Sequence, residues 1–175
     1  MHRVLVLGAG KIGALISGLL GESGDYRVRL ADIDGEAVES VVAAHGLDHV
    51  TGAQVDAGDA EALAAHLAEY PADAVVSGLP YFCNMVVAQA ARDADMHYFD
   101  LTEDVAVTNQ VRRLARGAKR AFAPQCGLAP GFISIAAQAL ANHFDEVHTV
   151  KLRVGALPQH PNNVLKYSLT LSLIH

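Results

Sequence analysis

Three glycines and an aspartate carry the clearest chemistry in this chain. Gly8, Gly10 and Gly13 stand at G-x-G-x-x-G spacing inside Val4-Leu5-Val6-Leu7-Gly8-Ala9-Gly10-Lys11-Ile12-Gly13-Ala14-Leu15, an apolar run that breaks and then resumes with helical spacing. Each glycine has its own reason to lack a side chain. Gly8 makes a tight turn, Gly10 lets a pyrophosphate approach the backbone, and Gly13 lets the new helix lie close against its strand. A diphosphate placed there meets the free N–H groups of Gly10, Lys11, Ile12 and Gly13 and the positive end of a helix dipole. Asp32 follows a second apolar run, Tyr26 to Ala31, near the ~20-residue offset at which a carboxylate accepts hydrogen bonds from the adenosine ribose. Ile33, next to it, brings no positive charge for a 2'-phosphate, so the expected cofactor is NAD, with NADP disfavoured.

These residues act together only if strands and helices alternate to position them. Asp34 to His45 carries Val38, Val41 and Val42 at helical spacing, with Asp34 as cap and Gly46 as stop. Val50 to Val55 reads as a third strand, and Asp59 opens a helix with Leu63, Leu67 and Tyr70 on one side and Pro71 at its end. Ala74-Val75-Val76 is a short, continuously apolar run of the kind buried on both faces of a parallel sheet. A helix from about Tyr81 to Asp95 that buries Val86, Val87 and Ala90, a strand His97 to Phe99, and a helix capped by Thr102 or Asp104 come next. Arg120 to Ala123 makes a sixth strand, and Pro130 opens a helix to Phe144. The pattern predicts an α/β fold, a doubly wound parallel sheet in the order 3-2-1-4-5-6. Ligands of such sheets bind beyond the carboxyl ends of the strands. That rule selects the glycine turn, Asp32, Asp56, Gly78 to Tyr81, Asp100 to Glu103 and Gln125 to Gly131.

Composition narrows the function classes. The chain has 175 residues, 51% of them hydrophobic, enough for a buried core, and a net charge of −6 that gives no electrostatic reason to bind nucleic acid or acidic lipid. Arg112, Arg113, Arg116, Lys119 and Arg120 form the one basic cluster and read as a solvated helix face. Two distant cysteines, Cys83 and Cys126, point to a reducing, cytoplasmic setting and lack metal-ligand neighbours. His45 and His49 are separated by Gly46 and should not share a helical face, so no metal is expected. No stretch reads as a signal-peptide core or a membrane span.

Three strand ends carry distinctive wording: Gly78-Leu79-Pro80-Tyr81, Tyr98-Phe99-Asp100-Leu101-Thr102 and Gln125-Cys126-Gly127-Leu128-Ala129-Pro130-Gly131-Phe132. With the amino-terminal turn they resemble the saccharopine dehydrogenase family, particularly the branch containing lysine 6-dehydrogenase. The resemblance implies a dinucleotide-binding domain over residues 1–146. Residues 147–175 would be the beginning of a substrate and dimerisation domain, truncated at His175, with strands at Val147 to Val154 and Leu165 to Leu173. A homo-oligomer is expected on the same ground.

The resemblance also implies an NAD-dependent oxidoreductase acting on the carbon–nitrogen bond of an amino acid, with hydride moving between nicotinamide and the carbon that bears the amine. Asp100 is the candidate for amine binding or proton management, or else a helix cap. Cys126 stands at the nicotinamide end, where it shapes the pocket or is simply a buried thiol. Pro80 and Tyr81 border the nicotinamide ribose, unless Tyr81 is a helix-start residue that packs on the sheet edge, and Asp56 accepts from the adenine amine unless it is only a turn residue. Two rival readings remain at this stage. One is a nucleotide-sensing regulatory module like those that gate potassium transport, which share the strand-turn-helix and the acid but need no proline-rich turn after strand six. The other is a non-catalytic NAD-binding stub.

Overall fold

The computed structural model describes residues 1–155. Six strands form one parallel sheet: β1 (His2–Leu7), β2 (Tyr26–Asp32), β3 (Val50–Gln54), β4 (Ala74–Ser77), β5 (His97–Asp100) and β6 (Phe122–Ala123). Their spatial order is β3-β2-β1-β4-β5-β6, as the alternation of elements predicts. The helices are α1 (Lys11–Glu22), α2 (Gly35–His45), α3 (Ala60–Glu69), α4 (Asn84–Asp93), α5 (Val105–Leu114) and α6 (Phe132–Ala141).

Alternation along β1 divides the core between the two sheet faces. Val4 and Val6 pack with Val28, Leu30, Val38 and Val50 beneath α1 and α2. Leu5 and Leu7 point the other way and join Leu63, Val75, Val87, Tyr98 and Val111 beneath α3, α4 and α5. All four β1 side chains are 5% exposed or less, and each such burial contributes roughly 1.5–3 kcal/mol. This double burial is why the central strands read as unbroken apolar runs.

The caps follow their chemistry. Asp34 accepts from the Ala37 amide, Asp59 from Glu61 and Ala62, and Asp104 from Val107. Gly46 closes α2 in the left-handed conformation at φ 62°. Helix α1 departs from ordinary amphipathicity, because its buried residues are Gly13, Ser17, Gly18 and Gly21 while Ile12, Leu15 and Leu19 face outward. A Cβ at Gly21 would stand 2.6 Å from Val50, so the small face is what lets the helix lie on the sheet. The two histidines set aside as metal ligands tie α1 to its neighbours: His45 Nε2 lies 3.1 Å from Ser17 Oγ, and His49 Nε2 lies 2.7 Å from the Gly21 carbonyl.

The carboxyl-terminal part differs from expectation. Tyr81–Cys83 is a single 3-10 turn that hands over to α4 at Asn84, so the helix starts later than its sequence suggests. Strand β6 has two residues, because only Tyr98 and Phe99 of β5 offer it partners. Pro130 does not open α6: the Ala129–Pro130 peptide is cis, Gly131 occupies the N-cap, and the helix runs from Phe132 to Ala141. Residues 147–154 are not a strand, since a strand requires a paired neighbour and none is present among the described residues. The expected strand at Leu165 to Leu173 lies outside the described residues.

Candidate dinucleotide site

The glycine turn is set at the carboxyl end of β1, where the central strands separate toward β2 and β4. Gly8 has φ 102°, a conformation open to glycine, and its amide donates to the Ala31 carbonyl at 2.8 Å. A Cβ at Gly13 would collide with the Gly8 carbonyl, so helix and turn touch directly. At Gly10 a Cβ would meet nothing within 4 Å. That position has no packing reason to be glycine, and the open space above it fits a group that must approach the backbone. The first backbone bond back along α1 is from Ala14 to Gly10, which leaves the amides of Lys11, Ile12 and Gly13 without intrahelical acceptors. Lys11, exposed in the first turn, adds positive charge where an anion would lie.

Asp32 ends β2 beside this turn. Its Oδ2 accepts from the Ala9 amide at 2.7 Å and its Oδ1 from the Asp34 amide at 3.0 Å. The carboxylate therefore shapes the turn. Ile33 is 62% exposed and brings no cation to it. Asp56 lies in the turn after β3, exposed, with Oδ1 accepting from the Gly58 amide at 2.9 Å. Beyond β4, Pro80 precedes the 3-10 turn and Tyr81 packs edge-on against Phe82, ring centroids 5.7 Å apart.

Asp100 takes a different place from the one its sequence position suggests. It is fully buried: Oδ1 accepts from the amides of Thr102 (2.9 Å) and Gln125 (3.0 Å), and Oδ2 from the Tyr98 hydroxyl (2.6 Å). Three internal donors occupy the carboxylate, and it neither caps α5 nor presents itself to an amine. Burial, followed by the charge and hydrogen bond of Asp100, pushes the Tyr98 phenol well above its ordinary range, so it remains a donor. Cys126 donates its thiol to the Ala123 carbonyl at 3.2 Å. Cys126 is exposed and so is not a buried thiol; partial desolvation of its sulfur and then the nearby Asp100 charge push the thiol upward, which suits a wall group and not an attacking thiolate.

Two buried residues beside the site escape sequence reasoning. Ser77 and Asn84 are buried beneath the loop after β4, joined by a 2.7 Å bond from Ser77 Oγ to Asn84 Oδ1. Gly78 lies against the turn: a Cβ on Gly8 would stand 3.2 Å from the Gly78 carbonyl, and the Gly78 amide donates to Leu7 at 2.8 Å. A glycine directly after the fourth strand of such a sheet was the available signal for that contact. Among the described residues no group of three His, Cys, Asp or Glu side chains is placed to hold a metal, and no helix is long and apolar enough to cross a membrane.

An all-parallel sheet with this strand order, a glycine turn at its switch point and an acid after β2 define a dinucleotide-binding α/β domain. The chain belongs to the saccharopine dehydrogenase family: the family model for the saccharopine dehydrogenase NADP binding domain matches residues 4–123. Among solved structures it is similar to the apo saccharopine dehydrogenase (L-Glu forming) of Saccharomyces cerevisiae, with 20% identity and a TM-score of 0.69 over 81% of this chain and 31% of that one. Scyllo-inositol dehydrogenase from Lactobacillus casei aligns at 13% identity and TM-score 0.61, over 81% of this chain and 41% of its own. Quinate dehydrogenase from Corynebacterium glutamicum, solved in complex with NAD, aligns at 18% and 0.57, over 80% and 49%. At these identities the likeness is one of fold, and the chain spans less than half the length of each of the three.

Proposed function

We propose that this chain is the cofactor-binding half of an NAD-dependent oxidoreductase that acts on the carbon–nitrogen bond of an amino acid, of lysine 6-dehydrogenase or saccharopine dehydrogenase type. The observation that carries the cofactor reading is the open backbone at Gly10, flanked by free amides and by the Asp32 carboxylate. Gly8 to Gly13 hold the pyrophosphate, Asp32 accepts from the adenosine ribose, Asp56 faces the adenine, and Pro80 and Tyr81 border the nicotinamide ribose. The acid at Asp32, with the apolar Ile33 beside it, favours NAD over NADP. The family supports the amino-acid substrate.

When bound, NAD supplies the hydride acceptor. The chain's own residues orient it and keep water from one face. Asp100 acts as a positioning residue, holding the loop of Gln125 and Cys126 over the ends of β5 and β6. Cys126 forms part of the wall at the nicotinamide end. Both cysteines are free thiols, in keeping with a cytoplasmic setting. Substrate orientation calls for a second wall that residues 1–155 do not provide.

The test has two parts. Calorimetry with NAD should give saturable binding, and its absence would remove the cofactor reading. Following nicotinamide absorbance with NAD and a panel of lysine, saccharopine, quinate and inositol should show no steady turnover by these 175 residues. Turnover of about 1 per second or more on an amino acid would mean that the pocket is complete, and turnover on a polyol alone would overturn the substrate class.

A further inference from the structure

The amino-terminal end of the sheet, far from the glycine turn, carries an arrangement that the cofactor reading does not use. Register places Arg3 of β1 directly beside Arg27 of β2, and Arg29 follows two residues on, so all three project from one face of the sheet. That face is covered by aliphatic packing farther along the strands, but here it opens into a cavity of about 710 Å3. The three arginines and Tyr70 line it, with the Leu5 side chain on the same sheet face. Like charges on neighbouring strands repel, and a mid-sheet position normally holds an apolar side chain, so this clustering costs stability.

Among the described residues only one of the three arginines is held in an ion pair. Arg3 pairs with Asp73 at 3.5 Å. Asp48 and Glu69 also line the cavity, yet neither makes an ion pair with Arg27 or Arg29 among the described residues. Arg29 is half-buried and stacked on the Tyr70 ring, its guanidinium carbon 4.1 Å from the ring centroid. Its Nε is shielded and has no acceptor among the described residues. Stacking of this kind fixes the plane of the guanidinium and leaves its terminal nitrogens presented as a rigid fork, the geometry that takes carboxylate or phosphate oxygens two at a time.

We propose that this cavity is a second ligand site, which binds a small organic anion bearing two or more negative charges, a phosphate ester or a polycarboxylate. Arg27 and Arg29 supply the charged hydrogen bonds, Arg3 adds field, and the Tyr70 ring holds Arg29 in plane. The site stands at the opposite strand ends from the glycine turn, so its ligand does not compete with a dinucleotide.

Pyrophosphate and citrate serve as probes, titrated by calorimetry at about 0.15 M ionic strength so that diffuse charge attraction is screened. The titrations use Gly10→Val protein, in which the glycine turn no longer offers a phosphate site. The expected result is one-to-one binding of at least one probe with Kd below about 1 mM. That affinity should fall at least tenfold in a further Arg27→Gln, Arg29→Gln variant. Binding of pyrophosphate alone assigns a phosphate ester, and binding of citrate alone a polycarboxylate. Arg27→Gln by itself changes an exposed residue and keeps the test open if the double change unfolds the chain; it too should weaken the probe. If neither probe binds the Gly10→Val protein, or if the arginine variants bind as the parent does, the proposal fails. Those failures leave the NAD titration of the unaltered chain untouched, so the two readings are separable.

Discussion

Asp100, at the end of β5, accepts the amide of Gln125, beyond β6, and this bond holds a non-glycine residue in the left-handed region at φ 65°. Such a backbone costs roughly 1–3 kcal/mol and persists because its surroundings impose it. The Cys126 amide reinforces the tie by donating to the Asp100 carbonyl at 2.7 Å. Removing the carboxylate strands two amides and the Tyr98 hydroxyl. Asp100→Ala should therefore destabilise the domain by about 3 kcal/mol or more, a fall in melting temperature of roughly 6–12 °C. Tyr98→Phe, which leaves both amide bonds in place, should cost about 1–2 kcal/mol. Thermal melts of the two variants check the order; equal losses would mean that the carboxylate does not organise the loop.

Cofactor choice rests on Asp32. The unaltered chain should bind NAD more tightly than NADP, and Asp32→Ala should weaken NAD by about ten- to a hundredfold, the equivalent of a charged hydrogen bond of ~1.5–3 kcal/mol. The variant should also lose much of its preference. Equal affinities for NAD and NADP in the unaltered chain would sink the assignment.

Gly10 and Gly13 should behave oppositely when given side chains. Gly10→Val places its side chain in open space, so the domain should stay folded, within about 1–2 kcal/mol of the parent for a worse N-cap, while NAD binding is lost. Gly13→Ala meets the Gly8 carbonyl and should destabilise the fold itself. Melting curves paired with NAD titrations separate the two outcomes. A Gly10→Val protein that binds NAD normally would place the phosphate site elsewhere.

His66 on α3 should make the domain acid-sensitive. Burial, then the Arg29 charge, lower its proton affinity, with Glu69 opposing. A histidine whose folded pKa is depressed binds its proton more readily in the unfolded chain. Stability is therefore full above the ordinary imidazole value of about 6.5 and declines as pH falls through it, until the folded-state value is passed. Denaturation midpoints measured from about pH 7.5 to 5 should fall, and His66→Leu should flatten part of that slope. An unchanged slope in the variant would show that other groups carry the acid response.

The part of the fold that strand alternation controls was legible: the order of six strands, the Asp34 and Asp59 caps and the Gly46 stop all follow from local patterning. The start of helix α1 was legible, with Gly13 expected against its strand, but the rest of its inward face was not, because burial there goes to Ser17, Gly18 and Gly21, while periodicity arguments look for large apolar residues. The glycine turn and Asp32 stood out because backbone chemistry imposes residue types at set spacing. Asp100 was misassigned for the converse reason. Of its partners, Tyr98 and Thr102 are local while Gln125 is brought in by the pairing of β5 with β6, and a lone strand-end acid looks the same whether it faces inward or outward. The arginines at the amino-terminal end were passed over because β1 and β2 had to be set in register before Arg3, Arg27 and Arg29 became neighbours.

The contact between Gly8 and Gly78 bears on how such domains can be recombined. One glycine closes the turn of the first half of the sheet and the other opens the loop of the second, and a side chain on either would press against the backbone of the opposite half at 3.2 Å. The two halves are thus indexed to each other through a single joint that has no slack. A chimera that joins the first three strands of this chain to the last three of a relative keeps this close approach only when the relative also carries a glycine directly after its fourth strand, so the two positions constrain each other although they lie seventy residues apart.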